Sequence, residues 1–158
     1  MIAAKRIAAA VKPLVAYLEC AAPIADLGIR LWAAKFFWDS GLTKVSVNTE
    51  FPFLHMNPTT IALFTTEYHV PLLSPTFAAY LGSAIELTFP VLLALGLCGR
   101  IAAMVLFVFN IIAVVSYPGL EEFGIAQHML YGTLLLLPLL RGPGRLSIDH
   151  LFRRRYWK

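Results

Sequence analysis

The sequence contains few charged residues, and this scarcity excludes most soluble proteins. Charged side chains make up 14% of the 158 residues and hydrophobic ones 59%, whereas a typical soluble domain has about 25% charged residues. A chain this poor in charge cannot cover a soluble domain with a polar surface. The composition therefore predicts an integral membrane protein, and the length fits a single domain.

Cysteine is also scarce, which argues against several redox centres. Cys20 and Cys98 stand alone, with no Cys-x-x-Cys motif and no histidine at zinc-site spacing. The chain has no cysteine set for an iron–sulfur centre and no paired histidines in apolar segments for a haem. We therefore expect no metal site and no covalently bound cofactor.

Four apolar stretches are long enough to cross a bilayer as helices. They cover residues 24–42, 74–98, 100–117 and 124–140. The second and third are separated by little more than Gly99, so they must form a tight antiparallel hairpin. The run Arg141-Gly142-Pro143-Gly144 ends the fourth. The predicted fold is an all-α membrane protein built as a four-transmembrane-helix bundle.

The rest of the chain divides around this bundle. Residues 1–23 are predicted to form an amphipathic helix, or a helical extension, at the cytoplasmic surface. Residues 24–151 form the four-helix domain, and residues 152–158 form a basic cytoplasmic tail. The long outer loop, residues 43–73, is too apolar to be a free loop and too interrupted by proline to span. We expect it to form a short helix or a re-entrant cap against the bundle.

The distribution of charge predicts the orientation of the bundle. Ten lysines and arginines fall on one side: Lys5, Arg6, Lys12, Arg100, Arg141, Arg145, Arg153, Arg154, Arg155 and Lys158. Only Lys44 falls on the other side, together with Glu50, Glu67, Glu121 and Glu122. This bias predicts that both termini are cytoplasmic. Because the basic residues are spread as topology anchors, we do not expect nucleic-acid binding.

Ionisable residues inside the predicted spans are candidate functional groups, because charge within hydrocarbon is costly unless it is paired. Arg30 is predicted about 9 Å deep and Glu86 about 18 Å deep, a difference that a long guanidinium can bridge. Asp26 precedes Arg30 by four residues on one helix face. We therefore expect Asp26, Arg30 and Glu86 to form a polar cluster that binds a ligand.

Lys35 and Asp39 form a second pair at four-residue spacing, on another face of the first span. One helix of a four-helix bundle rarely buries both faces. The pair reaches the membrane surface, or faces another subunit together with Trp38, or lines a cavity.

Two further polar residues lie within spans. Asn110 is expected to make an interhelical hydrogen bond. His128 is a candidate proton donor to a bound head group, a metal ligand or a hydrogen-bonding partner, and both residues join the candidate ligand-binding set. His55, Met56, Glu67 and His69 of the outer loop could bind copper or zinc, but no short ligand spacing supports such a site.

The order of several motifs resembles the DoxX family of small bacterial membrane proteins. The resemblance runs from about residue 24 to 151. It rests on Arg30, the runs 40–44 and 67–73, Glu86-Leu87, Gly99-Arg100, Tyr117-Pro118, His128 and the run 141–151. It implies a four-helix protein of the bacterial inner membrane. It also implies a redox setting, because a related protein is the small membrane subunit of an archaeal thiosulfate:quinone oxidoreductase and others accompany redox-stress or copper-related proteins.

Three functions remain open from the sequence. The first is a quinone-facing subunit of a membrane redox complex. In it Arg30 and Glu86 would hydrogen-bond a quinone carbonyl, and Phe36, Phe37 and Trp38 would flank the ring. Electrons would come from a partner, so the chain would not catalyse a redox reaction alone. The alternatives are a scaffold that packs against other membrane subunits and a small transporter or metal-handling protein. The expected partners are the lipid bilayer and other membrane subunits.

Overall fold

The chain is mostly helical, with one small two-stranded hairpin. The computed structural model describes residues 2–47 and 54–156. Its elements are α1 (Ile2–Thr43), β1 (Val45–Val47), β2 (Leu54–Met56), α2 (Pro58–Thr66), α3 (Pro75–Leu95), α4 (Gly99–Ser116), α5 (Glu122–Arg141) and α6 (Ile148–Tyr156). Residues 48–53 of the predicted outer loop lie outside the described residues, as do Trp157 and Lys158 of the predicted tail.

Three helices in the described part of the chain are long and apolar enough to cross a membrane. They are α3, α4 and α5, which correspond to the second, third and fourth predicted spans. Helix α1 does not qualify, because the stretch 24–42 carries four charged side chains. The first predicted span, residues 24–42, therefore stays a prediction.

Helices α3 and α4 form the predicted antiparallel hairpin. Helix α3 begins after Ser74, whose hydroxyl accepts a hydrogen bond from the Phe77 amide. It ends at Gly96, which adopts the left-handed conformation that terminates helices. Helix α4 starts three residues later at Gly99, so the turn contains only residues 96–98. We call the end of the bundle that carries this turn and residues 141–147 the basic end.

Helix α1 continues through Pro13 and Pro23 as one helix. The predicted helical extension is therefore found, and a separate surface helix is not. Arg30 lies beside Gly96 in the α3–α4 turn. Only the segment from Arg30 to Thr43, about 20 Å long, therefore lies along the bundle.

The core lies where α1, α3, α4 and α5 meet. Its fully buried apolar members are Ala33, Ala34, Phe37, Leu93, Ala102, Ala103, Leu106 and Leu135. The many alanines let the helices approach closely. Gly41 marks a close approach of α1 to α3, because a Cβ atom there would lie 3.0 Å from the Glu86 Cβ and 3.1 Å from its carbonyl carbon.

The other end of the bundle is covered by β1, β2 and α2, which we call the cap. The two strands pair antiparallel, with Val45 opposite Met56. Asn57 caps α2 by accepting a hydrogen bond from the Thr59 amide. Phe64 of α2 is buried in a small cluster with two alanines of α3. The short helix predicted for the outer loop is confirmed.

A stack of three aromatic rings ties the cap to the end of α4. The ring of Tyr68 lies 4.6 Å from that of Phe64 and 4.8 Å from that of Tyr117. The Tyr117 hydroxyl donates a hydrogen bond to Glu67. Burial, aided by the negative charge of Glu86, raises the pKa of the Tyr68 hydroxyl to about 12.

Replacing Gly41 tests the close approach of α1 to α3. A methyl group at Gly41→Ala would meet backbone that cannot rotate away, so we expect the free energy of unfolding to fall by about 2 kcal/mol. Gly28→Ala, on the same helix, is the control because nothing lies within 4 Å of its added methyl. It should leave stability unchanged or raise it. Equal effects of the two variants in detergent unfolding would contradict the packing.

The pKa of Tyr68 predicts a pH dependence of the cap. Because the folded pKa lies above the ordinary value of 10.0, the stability contributed by neutral Tyr68 is complete below pH 10 and is lost as the pH rises through 12. Absorbance at 295 nm should show one of the six tyrosines ionising near pH 12. Tyr68→Phe should remove that transition, whereas the same change at exposed Tyr80 should leave it in place.

Candidate functional site

Glu86 lies at the middle of α3 and is paired with Lys44. Its Oε2 atom is 2.5 Å from the Lys44 ammonium, and its Oε1 atom accepts a hydrogen bond of 3.0 Å from the Ser40 hydroxyl. The side chains of Glu86 and Lys44 are only 5% and 14% exposed. Lys44 and Ser40 therefore supply the hydrogen bonds that the Glu86 carboxylate needs in the middle of a span.

Arg30 lies at the basic end of the bundle and bonds to backbone. Its Nη2 atom donates to the carbonyl oxygen of Leu146 at 2.6 Å. The residue is 1% exposed, and its Nε and Nη1 atoms have no hydrogen-bond partner among the described residues. Because Arg30 adjoins Gly96, ten residues beyond Glu86 on α3, the two levels are separated by about 15 Å.

The predicted contact of Glu86 with Arg30 and Asp26 is therefore wrong, whereas Asp26 and Arg30 both lie at the basic end, four residues apart on α1. The predicted depths of Arg30 and Glu86 assume a first span that begins near residue 24. In the structure α1 extends beyond the bundle at that residue, and Arg30 lies level with the α3–α4 turn. Asp26 lies beside Gly144. Lys44, just after the end of α1, is the partner that the spacing argument missed. The signal was present, because Lys44 is the single cation that the charge count assigns to its side.

Asp149 closes the α3–α4 turn from a distance of fifty residues. Its two carboxylate oxygens accept hydrogen bonds of 2.8 Å from the amides of Cys98 and Gly99. Its own amide donates to the carbonyl of Gly96. Asp149 thus caps the N-terminus of α4, where Cys98 offers no side-chain cap.

Asn110 and His128 form a hydrogen-bonded pair between α4 and α5. The Asn110 Oδ1 atom lies 2.8 Å from His128 Nδ1, and the Asn110 amide nitrogen donates to the His128 carbonyl at 3.0 Å. The interhelical bond predicted for Asn110 is confirmed. Because an amide oxygen can only accept, His128 Nδ1 carries the hydrogen. Gly132 makes room, since a Cβ atom there would lie 3.0 Å from the Asn110 amide nitrogen.

This pair lines a groove of about 370 Å³ between α4 and α5. The other lining residues are Phe107, Ile111, Val114, Val115, Ile125, Met129, Gly132, Thr133 and Leu136. Asn110 is eleven residues into α4, about 16 Å from its start. The Nε2 atom of His128 makes no hydrogen bond to another described residue. The groove is thus an apolar slot at membrane depth with one polar pair on its surface.

The predicted aromatic residues of α1 occupy three different environments. Phe36 stacks on Tyr131 at 3.8 Å and meets the His128 ring edge-on at 6.0 Å. Phe37 is buried in the core, and Trp38 is 36% exposed. Only Phe36 therefore reaches the groove pair, as a support for the His128 ring.

Lys35 and Asp39 form the ion pair expected from their spacing. The charged atoms are 2.5 Å apart, and the side chains are 71% and 54% exposed. The pair thus lies on the outer surface of α1, and its role in facing a partner stays a prediction.

Two of the outer-loop residues that could bind a metal make other hydrogen bonds. Glu67 accepts a hydrogen bond from the Tyr117 hydroxyl, and the Met56 sulfur accepts one from the Ser83 hydroxyl. In the part of the chain that the structure describes, no group of three or more histidines, cysteines and carboxylates could hold a metal ion.

A double-mutant cycle tests the buried ion pair. Lys44→Met and Glu86→Leu each leave a buried charge without a partner, so each single variant should lower the free energy of unfolding by about 3 kcal/mol. The double variant should lose clearly less free energy of unfolding than the two single variants together, because it leaves no buried charge. Lys12→Met, on the exposed part of α1, controls for loss of a lysine. Additive losses across the cycle would contradict the pair.

Comparison with known proteins identifies the family of the chain. Residues 25–119, more than half of the chain, match the family profile described as DoxX. No curated protein and no solved structure matches the chain. The matched segment includes Arg30, Lys44, Glu86 and Asn110, together with the first two of the three helices apolar enough to span. The chain therefore belongs to the DoxX family of membrane proteins.

Proposed function

We propose that the protein is a small integral membrane subunit of a redox complex and that its α4–α5 groove binds the ring of a quinone. The observation that carries the proposal is the Asn110–His128 pair, which lines an apolar groove at membrane depth and includes a titratable ring. A quinone has an apolar ring and two carbonyl oxygens, so it needs a slot of this composition with a polar group at one position.

His128 is suited to exchange one proton with such a ligand. Its Nδ1 hydrogen is held by Asn110, which fixes the ring and leaves Nε2 as the acceptor of a quinol hydroxyl hydrogen. In the protonated ring, Nε2 donates to a quinone oxygen instead. The stack of Phe36 on Tyr131 supports the ring from the α1 side.

The electrons come from another subunit in this proposal. The sequence holds two isolated cysteines and no paired histidines in its apolar segments, so the chain itself offers no ligand set for an electron carrier. The chain supplies the quinone site and the proton-exchanging group, and its partner supplies the redox centre.

The proposed membrane arrangement keeps both termini on the cytoplasmic side of a bacterial inner membrane. Residues 19–26 of α1 line the same cleft as α6 at the basic end, so α1 enters the bundle at the end where α6 lies. That end carries most of the arginines, as the cytoplasmic side does in membrane proteins. In this arrangement the segment of α1 along the bundle, about 20 Å long, and the cap beyond it would together form the first crossing of the membrane.

A second candidate, a scaffold that packs against another subunit, is favoured by the Lys35–Asp39 pair. Both charges are exposed on the outer surface of α1, within the segment that lies along the bundle. Charges on such a surface are costly against lipid tails, whereas a neighbouring polypeptide could hydrogen-bond them. Trp38, also exposed, lies on the same stretch.

Quinone retention tests the first proposal. Protein extracted gently from its own membrane should carry a quinone in native mass spectra, in an amount comparable to the protein. His128→Phe should retain at least tenfold less, because it removes the polar group and keeps an aromatic ring. His69→Phe, in the exposed segment after α2, should retain as much as the unchanged protein.

Equal retention in the two variants would contradict a site at His128. An unchanged protein that carries a stoichiometric partner polypeptide but no quinone would favour the scaffold function instead.

A further inference from the structure

A cleft of about 540 Å³ opens at the basic end of the bundle, away from the proposed quinone groove. It lies between the 19–26 segment of α1, the start of α4, residues 141–147 and α6. Four arginines line it: Arg100, Arg141, Arg145 and Arg153. Because the cleft adjoins the ends of helices that span the membrane, it lies at the depth where lipid phosphates are found.

The arginines of this cleft outnumber its three carboxylates, Glu19, Asp26 and Asp149. None of them forms a salt bridge with a described carboxylate, and Arg100 makes only a long 3.4 Å hydrogen bond to the Leu140 carbonyl. Both oxygens of Asp149 are occupied by amides of the α3–α4 turn. The remaining carboxylates, Glu19 and Asp26, both belong to α1. The opposite side of the cleft is therefore basic.

An exposed apolar surface continues from the cleft along α4. Ile101 lines the cleft and is 55% exposed, and Met104 and Val108 follow it at one-turn spacing with about half of each side chain exposed. A soluble phosphate has no apolar part that could contact this surface. The acyl chain of a lipid would lie along it.

Helix α6 has the character of a helix that lies in the membrane interface. Leu151, Phe152 and Tyr156 are all more than half exposed, and three consecutive arginines lie beside them. Apolar and basic residues together favour the boundary between headgroups and acyl chains of an anionic leaflet.

We propose that the cleft at the basic end binds the phosphate headgroup of an anionic phospholipid, with an acyl chain along the exposed face of α4. Guanidinium groups bind phosphate oxygens through paired hydrogen bonds, and basic pockets beside spanning helices take anionic headgroups. Helices α4 and α5 supply the guanidinium groups of Arg100 and Arg141. The segment after α5 supplies that of Arg145, and α6 supplies that of Arg153.

Native mass spectrometry of the whole protein in detergent tests this site. Phosphatidylglycerol should bind at one copy per chain, and phosphatidylcholine should bind at least tenfold more weakly. The paired variant Arg100→Gln with Arg141→Gln should weaken phosphatidylglycerol binding at least tenfold. The control, Arg154→Gln with Arg155→Gln, removes the same charge from arginines of α6 that do not line the cleft, and it should change binding less than threefold.

A second cleft pair, Arg145→Gln with Arg153→Gln, removes arginines without any hydrogen bond to a described residue, so it keeps the test valid if the first pair fails to fold. Equal weakening by the cleft and control pairs would overturn the proposal, because it would indicate attraction to surface charge in general. Equal binding of the two lipids would also overturn it. Displacement of phosphatidylglycerol by millimolar inorganic phosphate would show that the ligand is a soluble anion, and it would overturn the proposal of a lipid ligand.

Discussion

The buried ion pair of Lys44 and Glu86 is the constraint on which the rest of the bundle depends. A carboxylate at the middle of an apolar helix must be paired, and the partner comes from the residue just beyond α1. This pairing draws the end of α1 onto the middle of α3, where Gly41 permits backbone contact. The register so fixed places Phe36 against Tyr131 and the ring of His128. The ion pair thus holds the α1 face that supports the His128 ring, whereas the groove itself is lined by α4 and α5.

The charged groups of the membrane region serve the fold, and a neutral pair remains for a ligand. Glu86 is satisfied by Lys44 and Ser40, and Arg30 bonds the backbone of the segment before α6. Both charges thus hold distant parts of the chain together. Asn110 and His128 are hydrogen-bonded to each other, yet they line an open apolar groove. A polar pair without formal charge can face such a groove at a lower cost than an ion could.

Local spacing predicted the features that depend on neighbouring residues. The position of Gly99 indicated the α3–α4 hairpin, and four-residue spacing indicated the Lys35–Asp39 pair. Long-range register was not readable from the sequence. The partner of Glu86 depended on how far α1 runs beyond the bundle, and the cap that Asp149 supplies to α4 joins residues fifty positions apart. The pairing of Asn110 with His128 likewise required the register between two apolar helices, which hydropathy does not encode.

The most direct test of the account is photolabelling with an azido-substituted quinone, followed by mapping of the labelled peptides by mass spectrometry. A ligand bound beside the Asn110–His128 pair lies away from the buried charges. We therefore expect label on α4 and α5 within residues 107–136, displaced by excess unmodified quinone. Label on α1 near Ser40 and on α3 near Glu86 would contradict it, because the buried ion pair would then belong to the ligand site.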